Sequence, residues 1–417
     1  MTYLESPADA EARDAARARW RQAFREIVLG NALIGVIAII LALLVGSILI
    51  AATNEGVQTA AGYFFARPGD TFAAIGNAVG GAYGAFFQGA IYNFKRPDFL
   101  TGIRPLTETL TFATPLIAAG LGMGVTFRTG LFNIGGQGQM LMGAAFGGWI
   151  GFGALLPYGV HPLVATIVGM LAGAVWAGIA GLLKAYTGAH EVIVTIMLNY
   201  VAFYLMLYML STQGLLQKPG NINPTSAPMA DTAVYWQFLG DRYNLSFGFI
   251  LSIAAVIAVW WLLERSSLGF KLRTIGENPT AARTAGMNVP RLTVIAMAIS
   301  GALVGLAGMD QALGTVTTGL TSGIDSGIGF DAITVALLGR SRPWGILFAG
   351  ILFGAFKAGG YSMQAAQGVQ IDIVTVVQSL IVLFIAAPPL IRAMFRIPDP
   401  SKRRAAKAEK AEGVVNA

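Results

Sequence analysis

Three amides, Asn133, Gln137 and Gln139, stand together at the mouth of an apolar run, separated by Gly135, Gly136 and Gly138. A side-chain amide carries both donors and an acceptor, which suits a neutral hydroxylated or heterocyclic ligand. The same amides can equally satisfy backbone groups that the glycines leave unpaired. A second cluster lies in the run 192–213, where Thr195 and Asn199 are four residues apart and so share a helical face. Tyr200, Phe203 and Tyr204 follow, able either to stack a ring or to pack the bundle. Gln311 closes a later apolar run, and Asp331 stands in a short one with Asp325 just before it. Lys357 and Asp372 form a candidate ion pair across two further runs. Polar groups in such surroundings usually face a bundle interior or a cavity.

Other chemistries lack their residues. The chain has no cysteine, and its two histidines, His161 and His190, are isolated, so neither a metal site nor a proton relay is expected. There is no Ser-His-Asp set or paired catalytic carboxylates, and no GxxxxGK[ST] phosphate loop, so catalysis and nucleotide hydrolysis by this chain are not expected. The residue types suit passage of a ligand, with no bound cofactor.

These clusters must be positioned by membrane helices. Apolar residues make up 55% of the 417 and charged residues 12%, against about 25% in soluble domains, so the expected fold is an all-α polytopic membrane protein. Ten spans are predicted, at 28–52, 105–127, 131–154, 162–183, 192–213, 246–263, 292–313, 326–340, 344–362 and 371–390. With the N-terminus inside, the cytoplasmic segments hold 21 of the 28 Lys and Arg and the outer segments six, the bias that sets orientation. Counting 71–94 as a span would invert that bias downstream, so an interfacial or periplasmic helix pair is expected there, within an outer loop 53–104. The apolar core of 326–340 is too short to cross alone. A broken or half helix is predicted, shielded from lipid by protein or lining a cavity. Small-xxx-small pairs such as Gly143/Gly147, Gly169/Gly173 and Gly301/Gly305 predict close helix packing. The charged segment 1–27 reads as a cytoplasmic lead-in. The basic tail 391–417 reads as a solvated or anionic-lipid-binding extension rather than a nucleic-acid arm.

The stretch 264–291 is the longest charge-rich interior segment. It contains a short helix bounded by its own residues: Asn278 caps, Pro279 takes the first position, Thr280 to Ala285 make the turn and Gly286 ends it. Such a helix serves either as a loop helix resting on the chain's own spans or as a docking helix for a soluble partner.

Four segments, GLFNIGGQGQM at 130–140, HEVIVTIMLNY at 190–200, FKLRTIGENPTAARTAGMNV at 270–289 and GIGFDAITVALLGRSRPWG at 327–345, occur in an order that resembles the permease subunits of ABC-type importers for nucleosides and simple sugars. Those permeases belong with the branched-chain amino acid and ribose permeases, and the resemblance runs from about 105 to 389. It implies a helical permease in the bacterial cytoplasmic membrane with both termini inside. It would work with a second, homologous permease, a pair of cytoplasmic ATPases that hydrolyse ATP, and an extracytoplasmic binding lipoprotein. The resemblance also implies that the loop helix enters a groove of the ATPase, with Arg273, Gly276, Glu277, Asn278, Pro279, Ala281, Ala282, Arg283 and Gly286 as coupling residues. Asn133, Gln137, Gln139, Thr195, Asn199, Gln311 and Asp331 become the expected pathway lining. Two departures bear on ligand choice: Gln137 and His190 stand where related sequences often carry Glu and Asn. Nucleosides are the first expected ligand, simple sugars the second and branched-chain amino acids the third. A stand-alone secondary transporter is the rival class, but it would more often carry several buried ionisable groups and would not need the loop helix.

Overall fold

The computed structural model describes residues 31–240, 243–386 and 394. The charged lead-in, most of the basic tail and the outermost residues of the first and last predicted spans lie outside them.

Every one of the ten predicted spans falls on a helix. In chain order these are α1 (Asn31–Thr53), α2 (Glu55–Ala61), α3 (Pro68–Ala90), α4 (Phe99–Gly102), α5 (Arg104–Arg128), α6 (Gly136–Gly153), α7 (Val160–Leu182), α8 (Glu191–Ser211), α9 (Gly248–Arg265), α10 (Ser267–Glu277), α11 (Pro279–Thr284), α12 (Val289–Met309), α13 (Ile328–Leu338), α14 (Pro343–Gln367) and α15 (Ile371–Ala386). Among the described residues, six helices or continuous helical stretches are long and apolar enough to cross a membrane, seven if the pair α1–α2, bent by 73°, counts as one. The rest of the ten are α6, diluted by seven glycines and two glutamines, and the shorter apolar helices α13 and α15. Within the region 71–94, residues 71–90 belong to one continuous helix, α3, instead of a pair, and α3 is not among those apolar enough to cross.

The chain forms two compact units. One contains the described residues up to Val79 and from Asp372 onward. Within it Ala38 and Phe384 pack with Ile37, Leu41 and Leu380, and Thr71 donates its hydroxyl to the carbonyl of Ala60 at 2.9 Å.

The other unit, residues 80–371, carries the polar clusters. Its centre is a seam of glycines. Cβ positions built on Gly173 and Gly301 would each run into the other's backbone, Gly305 is set the same way against Gly169, and Gly143 lies against Gly305. Helices α6, α7 and α12 therefore meet backbone to backbone, which only residues without side chains allow. Helix α14 sits on α5 in the same manner, Gly350 over Ile117 and Gly354 over Ala113 and the carbonyl of Thr109.

The predicted broken span is present. From Leu320, whose side chain fills the notch at Gly148, the chain runs along α6 without a regular helix to the start of α13, where Gly329 meets Gly136 and Gln137. The stretch of α6 from Gly148 to Gly136 is about 18 Å long at about 1.5 Å per residue. The short helix α13 follows, bounded by left-handed residues on both sides: Ser326 and Gly327 before it, Arg340 and Ser341 after it.

Candidate substrate pathway and docking helix

The loop helix forms as its cap residues dictate. The Asn278 side chain accepts the amide of Ala281 at 3.0 Å, and Pro279 occupies the first helical position. At the other end Gly286 adopts φ +80°, while the amides of Gly286 and Met287 donate to the carbonyls of Arg283 and Ala282, each at 3.0 Å. That is a Schellman closure, in which a glycine past the last turn satisfies the orphan carbonyls.

One residue keys this helix to the protein. Ala282 is fully buried in a cluster with Leu131, Ala180, Leu272, Ile275 and Ala296. The remainder of α11 faces outward: Asn278, Pro279, Ala281 and Arg283 are exposed, as are the flanking Glu277 and Gly286. The coupling set inferred from resemblance thus divides. Six of its members form an open surface, while Arg273, Gly276 and Ala282 face the bundle. Arg273 bonds Glu264 at 3.1 Å, and Gly276 lies with its backbone against Arg128, Thr129 and Gly130.

That contact leads into the segment 129–135, where the amides are engaged. Asn133 is buried; it accepts from the Gly135 amide at 2.8 Å and from the Gln139 side chain at 3.0 Å, and donates to the Ser300 hydroxyl at 3.0 Å. Asn199 accepts the Gly138 amide at 2.8 Å and donates to the carbonyl of Ile134 at 2.9 Å. Thr195 accepts the amide of Ile134 at 3.3 Å. Asn133, Gln139, Thr195 and Asn199 therefore spend these polar atoms on the glycine-rich backbone and on each other. Tyr200 and Tyr204 are 60% and 63% exposed and point away from this cluster's buried face.

Gln137 differs from its neighbours. It is half-buried, and its amide reaches the carboxylate of Asp325 in a long hydrogen bond of 3.5 Å. Asp325 also accepts from the Gly327 amide at 3.3 Å, so it holds the last turn before α13. One turn into α13, Asp331 pairs with Lys357 of α14 at 2.8 Å. Lys357, named above in a candidate pair with Asp372, thus has Asp331 as its partner within this unit. Gln137, Asp325, Asp331 and Lys357 make a polar layer where the broken span crosses α6 and α14. Gln311 is buried in a widened helical turn, Asp310–Thr315, that ends α12.

Sequence reasoning passed over Asp310, which is 3% exposed beside Gly248 and has one carboxylate oxygen without a hydrogen-bond partner among the described residues. Its signal was an acid closing an otherwise apolar run. Near the N-terminal end of α5, a cleft of about 420 Å³ is lined by Asn93, Arg96, Arg104, Glu108, Phe112 and Tyr361, among others. The Phe112 and Tyr361 rings stack there with centroids 5.6 Å apart.

Comparison with known proteins agrees with this architecture. The family described as branched-chain amino acid transport system / permease component matches residues 106–386. The guanosine ABC transporter permease protein NupP of Bacillus subtilis is 38% identical over 287 residues, covering 68% of this chain and 82% of the relative. The nucleoside ABC transporter permease protein NupB of Lactococcus lactis is 34% identical, covering 75% and 87%. The glucose ABC transporter permease protein TsgB13 of Haloferax volcanii is 33% identical, covering 73% and 79%. No solved structure matches the chain significantly. A helical bundle with a broken span and an outward-facing capped loop helix, matched over two thirds of its length by one family, belongs to the branched-chain amino acid transport system permease family and is a multi-pass membrane component of an ABC transport system.

Proposed function

We propose that this permease imports nucleosides, driven by ATP hydrolysis in partner subunits that dock on α11. The observation that carries the docking is the exposed helix itself, closed at both ends by its own side chains and anchored through Ala282 alone within its six residues. The nucleoside assignment follows the two relatives named for nucleoside and guanosine transport, and it fits a polar layer that offers an amide beside carboxylates. The partners are a pair of cytoplasmic ATPases, a second homologous permease and an extracytoplasmic binding lipoprotein. The membrane is the bacterial cytoplasmic membrane, with both termini and α11 on the cytoplasmic side, the orientation that gives those segments most of the basic residues.

In this reading the push of the ATPases on α11 passes through Gly276 to the segment 129–135, which Asn133 and Asn199 hold as one body with the start of α6. Gln137 moves with that body and changes its distance from Asp325 and Asp331, opening or closing the pathway at the broken span. Asn133, Gln139, Thr195, Asn199 and Gln311 position the lining, and Gln137 and Asp331 touch the ligand. The cleft at Phe112 and Tyr361 is the outer mouth, where stacked rings meet a heterocycle released by the binding protein.

The test is uptake of labelled guanosine, uridine, ribose and glucose by liposomes carrying the chain with its ATPase and partner permease. ATP-dependent guanosine or uridine uptake is expected. Uptake confined to sugars would replace the ligand and keep the mechanism, whereas uptake by the chain without an ATPase would overturn both.

A further inference from the structure

A second cleft, of about 820 Å³, opens where the C-terminal end of α9 meets the N-terminal end of α14. Its charges are almost all of one sign: Arg128, Arg265, Arg273 and Arg342 enter it against the single carboxylate of Glu264. Glu264 is shared between Arg128 at 3.7 Å and Arg273 at 3.1 Å, and Arg128 also donates to the carbonyl of Ser341 at 3.1 Å. These bonds fix two guanidinium groups as the floor of the cleft. Arg265 and Arg342 have no carboxylate within ion-pair distance among the described residues, and Arg265 lies 5.9 Å from the ring centre of Trp260. Four guanidinium groups against one carboxylate leave a net charge of +3 facing a space far larger than a lone phosphate needs.

The walls decide what kind of anion belongs there. Trp344 is 46% and Phe348 69% exposed on α14, and Trp260 lines the α9 side. Both helices are membrane spans, and these rings lie within two turns of the ends that carry the arginines. Tryptophan concentrates at the headgroup level of a bilayer, and a guanidinium matches phosphate oxygens two at a time. A soluble acidic peptide would use the arginines and leave the aromatic rim wet, whereas a phospholipid uses both.

We propose that this cleft is a binding site for the phosphate headgroup of an anionic phospholipid, with Arg265 and Arg342 as its contacts and the acyl chains running along Phe348. Arg273 is on the floor of the site and on α10, the helix that leads into α11. A bound lipid therefore braces the docking helix from the membrane side.

The experiment uses the full chain in nanodiscs and in detergent. Lipid retention is read by native mass spectrometry, and thermal stability is read against phosphatidylglycerol, cardiolipin, phosphatidylcholine and inorganic phosphate. Retention of anionic lipid and a rise in melting temperature with it are expected for the unaltered chain. The double variant R265Q/R342Q is expected to melt as the unaltered chain does in phosphatidylcholine while binding anionic lipid about thirty-fold more weakly, at roughly 1 kcal/mol for each arginine lost. Lys271→Gln, which removes an exposed charge from α10 outside the cleft, is expected to leave lipid binding unchanged. Equal loss in K271Q would mean diffuse attraction and overturn the site. Equal protection by inorganic phosphate would overturn the lipid assignment, and so would a double variant that keeps its lipid but no longer assembles with the ATPase.

Discussion

At the scale of single residues the polar clusters divide by what their atoms already hold. Asn133 satisfies a backbone amide, a glutamine and a serine hydroxyl at once, so Asn133→Ala strands several buried groups. A loss of about 1–3 kcal/mol is expected, seen as a lower melting temperature of the purified chain. Gln137→Ala is expected to stay within about 0.5 kcal/mol of the parent yet to cut ATP-dependent uptake at least several-fold, because its one long bond to Asp325 contributes little to stability. If Asn133→Ala melted normally and only Gln137→Ala destabilised, the division between positioning and lining residues would be reversed. The sequence displayed which side chains were polar, and their spacing showed that Thr195 and Asn199 share a face. It could not show that Gln137 meets Asp325 across 188 positions, or that Lys357 meets Asp331. Those pairings depend on how the helices cross, and that information is not local.

At the scale of an element, α11 was the most legible part of the chain because capping is local chemistry. A cap residue, a proline and a glycine act on backbone groups within a few positions of themselves, so Asn278, Pro279 and Gly286 could be read directly. The inward turn of Ala282 could not, since an alanine among alanines carries no mark of burial until Leu131 and Leu272 are in place beside it. The short helix makes a separable prediction. Asn278→Ala removes a cap worth about 1 kcal/mol, and Gly286→Val forces a branched side chain into φ +80° at about 1–2 kcal/mol. Both costs fall on an exposed loop, so the melting temperature of the bundle is expected to hold while stimulation of the partner ATPase falls. A change in melting temperature without a change in stimulation would show that α11 serves only its own fold.

At the scale of the whole molecule, the architecture was visible in composition and in the glycine pairs, whereas which pairs meet was not. Gly173 with Gly301 and Gly169 with Gly305 form the crossing of α7 and α12, so Gly173→Leu drives a side chain into a backbone that cannot retreat. Overpacking of this kind costs about 1–3 kcal/mol or more, and loss of the monodisperse peak on size exclusion after mild heating is expected. Gly178→Ala, by contrast, adds a Cβ that meets nothing within 4 Å and is expected to be silent. The broken span carries one more consequence, for how the protein is made. Helix α13 has 11 residues, about 16 Å at about 1.5 Å per residue, against a hydrocarbon core of about 30 Å. As it leaves the ribosome it is too short to be retained in lipid by its own apolarity, and the irregular backbone before it can enter only beside protein. Its insertion therefore waits for α6 to offer Gly136 and for α14 to follow it in. The part of the bundle that the proposed transport cycle moves is also a part that can enter the membrane only with its neighbours beside it.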